Sequence, residues 1–261
     1  MQDKAKQHAE LLEDLTAERS SLVQVVADVD LTTTTPAEGW SVQDTISHLW
    51  STDEAALDAL VTPDHFRDTI LAAAFTDPDG FVDASVTDRR AIDAVTLMAS
   101  WAETFDQLHE ALATADLDTK VIWFGPPMNP TSFATARLME YWAHGQDVFD
   151  GLGVKREPTD RLRHICHLGY RTRGFSYLLR NRAMPDVAVG VRLDLPGGGV
   201  YEAEPDAPEQ VTGPAEDFCL VVTQRRHPRE TALIATGPAA QEWLSIAQCF
   251  AGPPGKGREA S

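Results

Sequence analysis

Basic charge is scarce in this sequence. Its 22 Lys and Arg residues stand against 40 Asp and Glu, a formal net charge of −18. Binding nucleic acid requires phosphates to be neutralised by basic side chains, so this balance argues against such a partner. Cysteine is also sparse. Cys166, Cys219 and Cys249 are an odd, scattered set that makes neither a disulfide framework nor a zinc-finger spacing, and three reduced, buried thiols are expected. There is no run of about 18 apolar residues, so no transmembrane helix is expected. The opening MQDKAKQHAELLEDL lacks the apolar middle of a signal peptide, which points to a cytoplasmic protein. G-x-S-x-G and Walker-type motifs are missing as well.

What is present is unevenly charged. Residues 1–153 hold 27 acidic and 8 basic side chains, whereas Lys155, Arg156, Arg161, Arg163, Arg171, Arg173, Arg180 and Arg182 face only Glu157 and Asp160. A basic helix at about 159–182 therefore sits in an acidic protein. It either docks on an acidic neighbour, stands in solvent, or steers a carboxylate or phosphate ligand.

Apolar spacing predicts four long helices. Leu11, Leu12, Leu15, Leu22, Val25, Val26 and Val29 form one stripe in the first. Ser41 with Asp44 makes a capping box that opens the second, SVQDTISHLWSTDEAALDAL, which Pro63 ends. After the second helix, 61–87 reads as an irregular connection of the kind that walls a pocket or forms a lid, with DHFRDTILAAAF as a short helix and TDPDGFVD as a turn. A third helix starts near 88. Thr131 or Ser132 caps the fourth, FATARLMEYWAHGQDVFDGLG, and Gly151 and Gly153 mark its end. From Met184 the period changes to that of strands, with GGG at 197–199 turning a hairpin, a helix opening at Gly213-Pro214, a strand at 231–236 and a last helix after Gly237-Pro238. The expected organisation is a four-helix bundle over 1–153, a basic bridging helix over 154–183, a small α+β domain over 184–252 and a disordered tail over 253–261. A monomer is the default, since no apolar seam is left over.

One constellation carries chemistry. Glu140 and His144, four residues apart on the fourth helix, stack on one face among apolar neighbours. A carboxylate and an imidazole buried together need a partner, and a divalent cation is one. His48, between Ile46 and Leu49 in the second helix, is the candidate third ligand. By itself an E-x-x-x-H pair is more often a side-chain hydrogen bond or salt bridge than a metal site, a lone helical His is more often a satisfied core residue, and His65, His109, His164 and His167 compete as ligands.

The segments GWSVQDTISHLWSTDEAA and ARLMEYWAHGQDVFDGLG resemble the two signature helices of the mycothiol-dependent maleylpyruvate isomerase superfamily, whose N-terminal domain is a DinB-like metal-binding bundle. GPAEDFCLVVTQRR is similar to that family's C-terminal domain. The resemblance implies a DinB-like four-helix bundle with a smaller C-terminal α+β domain, in an actinobacterial branch. It implies one divalent metal on His48, Glu140 and His144, zinc first, with nickel, iron and manganese also suited to the donor set. It places an anion-holding role on Arg225, with Arg226 as the fallback. It also implies mycothiol as a small-molecule thiol, activated to add to a small electrophilic substrate and either leave again, as in isomerisation, or remain, as in S-transfer. Trp123, Phe124 and Met128, just before the metal helix, are candidates to line the cofactor pocket, with core packing as the other reading. Two further readings stay open. In one, metal-bound water is the nucleophile, and Asp44, Asp53 or Asp147 supplies the acid or base. In the other, the chain is a non-catalytic ligand-binding protein.

Overall fold

In a computed structural model, described here for residues 2–258, the chain forms two compact units, 1–155 and 156–261. The first is helical. Its long members are α1 (Gln2–Val26), α2 (Val42–Val61), α6 (Ala94–Thr114) and α7 (Pro130–Leu152). Between α2 and α6 lie α3 (Pro63–His65), a π-helical stretch (Phe66–Leu71), α4 (Ala72–Thr76) and α5 (Pro78–Thr87).

The stripe read from α1 is buried at Leu11, Leu12, Leu15, Leu22 and Val26. The capping box at Ser41 and Asp44 is present, and Arg90 clamps the same carboxylate at 2.8 Å. Two local expectations are corrected. The fourth helix is capped by Asn129, whose side chain accepts from Ser132 N, rather than by Thr131 or Ser132. Pro130 explains the shift, because a residue without an N–H fits the first helical position and so leaves the cap to Asn129 just before it. The TDPDGFVD stretch is no turn but the start of α5: Asp77 accepts from Gly80 N and Pro78 fills the first position. The same Asp-Pro chemistry that marks turns also starts helices.

At the far end of α7, Gly153 takes the left-handed conformation at φ 65° and closes the helix. Gly151, two residues earlier, has a different task. A Cβ there would lie 2.7 Å from Thr34 O and 3.0 Å from Thr35 Cα, so its lack of a side chain lets the 31–40 loop rest on α7. That loop is tied by Thr35 N donating to Trp40 O (2.9 Å) and Val42 N to Thr33 O (2.9 Å). Because both clashing atoms are backbone, Gly151→Ala is expected to cost about 1–3 kcal/mol, as overpacking does. Denaturant unfolding checks this, and an unchanged midpoint would show that the loop yields freely.

The second unit contains a four-stranded sheet ordered β2-β1-β3-β4: β1 (Val189–Asp194), β2 (Val200–Ala203), β3 (Glu209–Pro214) and β4 (Ile234–Thr236). The hairpin at 197–199 is as read, with β1 and β2 antiparallel. β3 was not read as a strand, and it pairs parallel to β1. α10 (Ala215–Val222) and α11 (Pro238–Ile246) complete the sheet unit. The arginine-rich stretch is not one bridging helix. It is α8 (Leu162–Arg171) and α9 (Arg173–Leu179), both within the second unit, interrupted at Thr172. Gly169 explains the docking of α8, since a Cβ there would meet Phe218 at 2.8 Å and Val222 at 2.9 Å. The start of the tail is tied down at 253 and 255: Gln248 Nε2 donates to Pro253 O, its Oε1 accepts from Gly255 N, and Arg180 donates to Gly255 O. Residues 259–261 lie outside the described residues. Among the described residues no helix is long and apolar enough to cross a membrane.

Candidate metal centre

Side chains one helical turn apart on α7 face a side chain midway along α2. His144 Nε2 lies 3.2 Å from Glu140 Oε2, and His48 Nε2 lies 3.8 Å from the same oxygen. The two imidazole centroids are 4.5 Å apart. One donor atom from each residue falls within 4.8 Å of the others, and among the described residues this is the one group of three or more His, Cys, Asp or Glu side chains so arranged. Donors held at about 2.0–2.2 Å around a tetrahedral ion are themselves about 3.3–3.6 Å apart, so the residues present fit a divalent metal. The side chains keep 11%, 14% and 17% of their surface exposed for His48, His144 and Glu140, so the cluster is largely buried and not wholly sealed from solvent.

Electrostatics prepares the donors. Burial, reinforced by His144 and by Arg137, pushes His48 down to about 4, against the opposing pull of Glu140. Its imidazole is therefore neutral at pH 7 and offers a lone pair. Burial would raise Glu140, but hydrogen bonding to His144 and His48 and the charge of Arg137 outweigh it and hold the carboxyl well below its ordinary value. Asp147 Oδ2 stands 3.7 Å from His144 Nδ1, in the place where a ligand histidine usually finds an outer carboxylate. His48 Nδ1 is buried without a hydrogen-bond partner. The loop seated on Gly151 places Trp40 against both imidazoles, with ring centroids 5.1 Å from His48 and 5.9 Å from His144.

Deeper along the same helices is a second polar layer that sequence reasoning largely missed. Arg137 is 2% exposed, its guanidinium 5.1 Å from the Trp123 ring centroid, with Nη2 3.9 Å from Glu140 Oε1. Asp53 is fully buried and accepts a hydrogen bond from Tyr141 Oη, which in turn accepts from Trp101 Nε1 at 2.9 Å. Burial pushes Asp53 up to about 7, even though Arg137, Tyr141, Arg19 and Trp101 all pull it down. A signal was available: Arg137, Glu140, Tyr141 and His144 recur at i, i+3, i+4 and i+7, so a charged residue lies on the face that the ligands occupy.

Trp123 is 7% exposed and stacks on Phe66 (5.4 Å) and edge-on to Phe133 (4.9 Å), a packing position. Arg225 and Arg226 follow α10 in the second unit, both partly buried, with Nη1 donating to Thr223 O and to Arg225 O respectively. Asp44 is committed to its cap and to Arg90. His65 pairs with Asp58 at 3.0 Å, and His167 contacts Tyr201 at 3.2 Å.

A helical unit presenting two imidazoles and a carboxylate, joined to a small four-stranded unit, is the architecture of a known enzyme fold. A crystal structure of the mycothiol-dependent maleylpyruvate isomerase matches with TM-score 0.54 at 15% identity, over 84% of this chain and 90% of that one. A histidine-to-alanine mutant of the isomerase matches with TM-score 0.58 at 14% identity, over 89% and 95%. Residues 12–149 match the family model of the mycothiol maleylpyruvate isomerase N-terminal domain, and the chain belongs to that family. Two uncharacterised proteins from different strains of Mycobacterium tuberculosis are each 46% identical over 249 residues, covering 94% of this chain and 96% of theirs.

Proposed function

We propose that this protein is a metal-dependent enzyme that activates mycothiol for isomerisation or S-transfer on a small, electrophilic, anionic substrate. The observation that carries the reading is the convergence of His48 Nε2, Glu140 Oε2 and His144 Nε2 within 4.8 Å, in a site that keeps some exposure. Three protein donors leave a coordination position open, the property of a catalytic rather than a structural metal. A divalent metal there, zinc in the first instance, would acidify a coordinated thiol, whose free pKa near 8.5 leaves it mostly protonated at neutral pH.

The chain's own residues have separable tasks. His48 and His144 supply neutral donors, and Glu140 supplies one negative charge, so the bound ion keeps a net positive charge with which to hold an anion. Asp147 orients His144 through Nδ1. Trp40 shields the imidazoles from water on one side. Arg225, or Arg226 beside it, is assigned the anionic group of substrate or thiol, a task suited to a forked guanidinium. Arg225→Lys is then expected to weaken the substrate interaction while leaving metal content intact.

The test is to load the protein with cobalt(II) and add mycothiol. A new near-ultraviolet thiolate-to-metal absorption band is expected. Metal binding with no such band would overturn the thiol half of the proposal and favour water as the nucleophile. Failure to bind metal even after reloading would overturn the whole of it and leave a ligand-binding protein.

A further inference from the structure

Resting on that reading of the site, we infer that Arg137 is a positioning residue that keeps Glu140 a one-oxygen ligand and so keeps a coordination position free. The two oxygens of Glu140 have different surroundings. Oε2 faces both imidazole Nε2 atoms, at 3.2 and 3.8 Å, while Oε1 is turned to Arg137 Nη2 at 3.9 Å. The carboxylate is thus divided between the place where an ion fits and a buried cation.

Arg137 is costly where it is. A guanidinium with 2% exposure, whose Nε and Nη1 have no hydrogen-bond partner, is held by the charges of Asp53 and Glu140 and by the face of the Trp123 ring. Methionine would fill the same volume against Trp123 without that cost. The benefit lies at the metal. A carboxylate free to swing binds a divalent cation through both oxygens, which raises the coordination number and crowds the position an external thiol needs. An arginine on the outer oxygen prevents that and withdraws charge from the inner one. Outer partners of metal-bound carboxylates act in this way generally.

The test compares cobalt-loaded wild-type protein with Arg137→Met and Arg137→Lys. A four-coordinate cobalt(II) centre absorbs visible light several-fold more strongly than a five- or six-coordinate one. Arg137→Met is expected to keep about one metal per chain, the occupancy of a single three-donor site, while its visible absorption falls several-fold and mycothiol binding weakens. Arg137→Lys, which retains a cation, is expected to restore most of the intensity. Should Arg137→Met not fold, Arg137→Met with Asp53→Asn removes one charge of each sign from the layer and reports the same change. A wild-type cobalt spectrum in a folded, metal-loaded Arg137→Met protein would overturn the inference and leave the metal reading standing. Wild-type protein that takes up no cobalt would instead defeat the metal reading itself.

Discussion

Glu140→Ala is expected to strip the protein of its metal. Glu140 is the only anionic donor of the three, and its Oε2 is the atom on which both imidazoles converge. Without it, two neutral histidines remain beside the Arg137 cation, which repels a divalent ion. Losing an outer partner of a ligand typically weakens metal binding about 10–100-fold, and loss of the charged ligand should exceed that. Elemental analysis of protein purified without chelators should find roughly one metal per wild-type chain, as a single three-donor site requires, and almost none in the variant. His144→Ala should behave alike. Full occupancy in Glu140→Ala would count decisively against these three residues as the site.

The second large effect is a hidden pH dependence in the metal-free protein. His48 is held down to about 4 and Asp53 is pushed up to about 7, and the two shifts have opposite consequences. A histidine with a depressed pKa contributes stability that is present above its unfolded value near 6.5 and is lost as pH falls toward 4. A carboxyl with a raised pKa contributes stability that is present below its unfolded value near 4 and is lost as pH rises through 7. Across pH 4–7 the two contributions, about 3 kcal/mol for His48 and about 4 kcal/mol for Asp53, nearly cancel. Asp53→Asn should unmask the histidine: the variant gains stability steadily from pH 4 to 6.5 relative to wild type. His48→Gln should show the reverse trend. Denaturant melts at four or five pH values, with a chelator present, read both. Parallel wild-type and Asp53→Asn curves would mean that Asp53 ionises normally.

Legibility in the sequence varied with the range of the forces involved. The long helices, the box at Ser41 and Asp44, the hairpin at 197–199 and the left-handed Gly153 follow from local spacing and turn chemistry, and each could be read from a few consecutive residues. The grouping of His48 with Glu140 and His144 joins two elements some ninety residues apart, and the resemblance to a known family supplied it. The strand at 209–214 escaped because only Val211 among its residues is fully buried and its Gly-Pro end looks like a helix start. Its parallel partnership with β1 is a tertiary matter that no alternation encodes. The layer of Arg137, Asp53, Tyr141 and Trp101 escaped for another reason. Charged residues within apolar helices are ordinarily assigned to solvent, and only their register with Glu140 marks them as internal.

The loop resting on Gly151 sets an indole beside the two imidazoles. Trp40 lies within 6 Å of both histidine rings, 5.1 Å from one and 5.9 Å from the other. Its indole is therefore a built-in optical probe of the cluster. A change of charge at either imidazole alters the field across the excited indole, so the emission of Trp40 should shift or dim as the site fills. Comparing wild-type protein with Trp40→Phe would separate that signal from the five other tryptophans. Occupancy could then be followed in a stopped-flow fluorimeter without any added label.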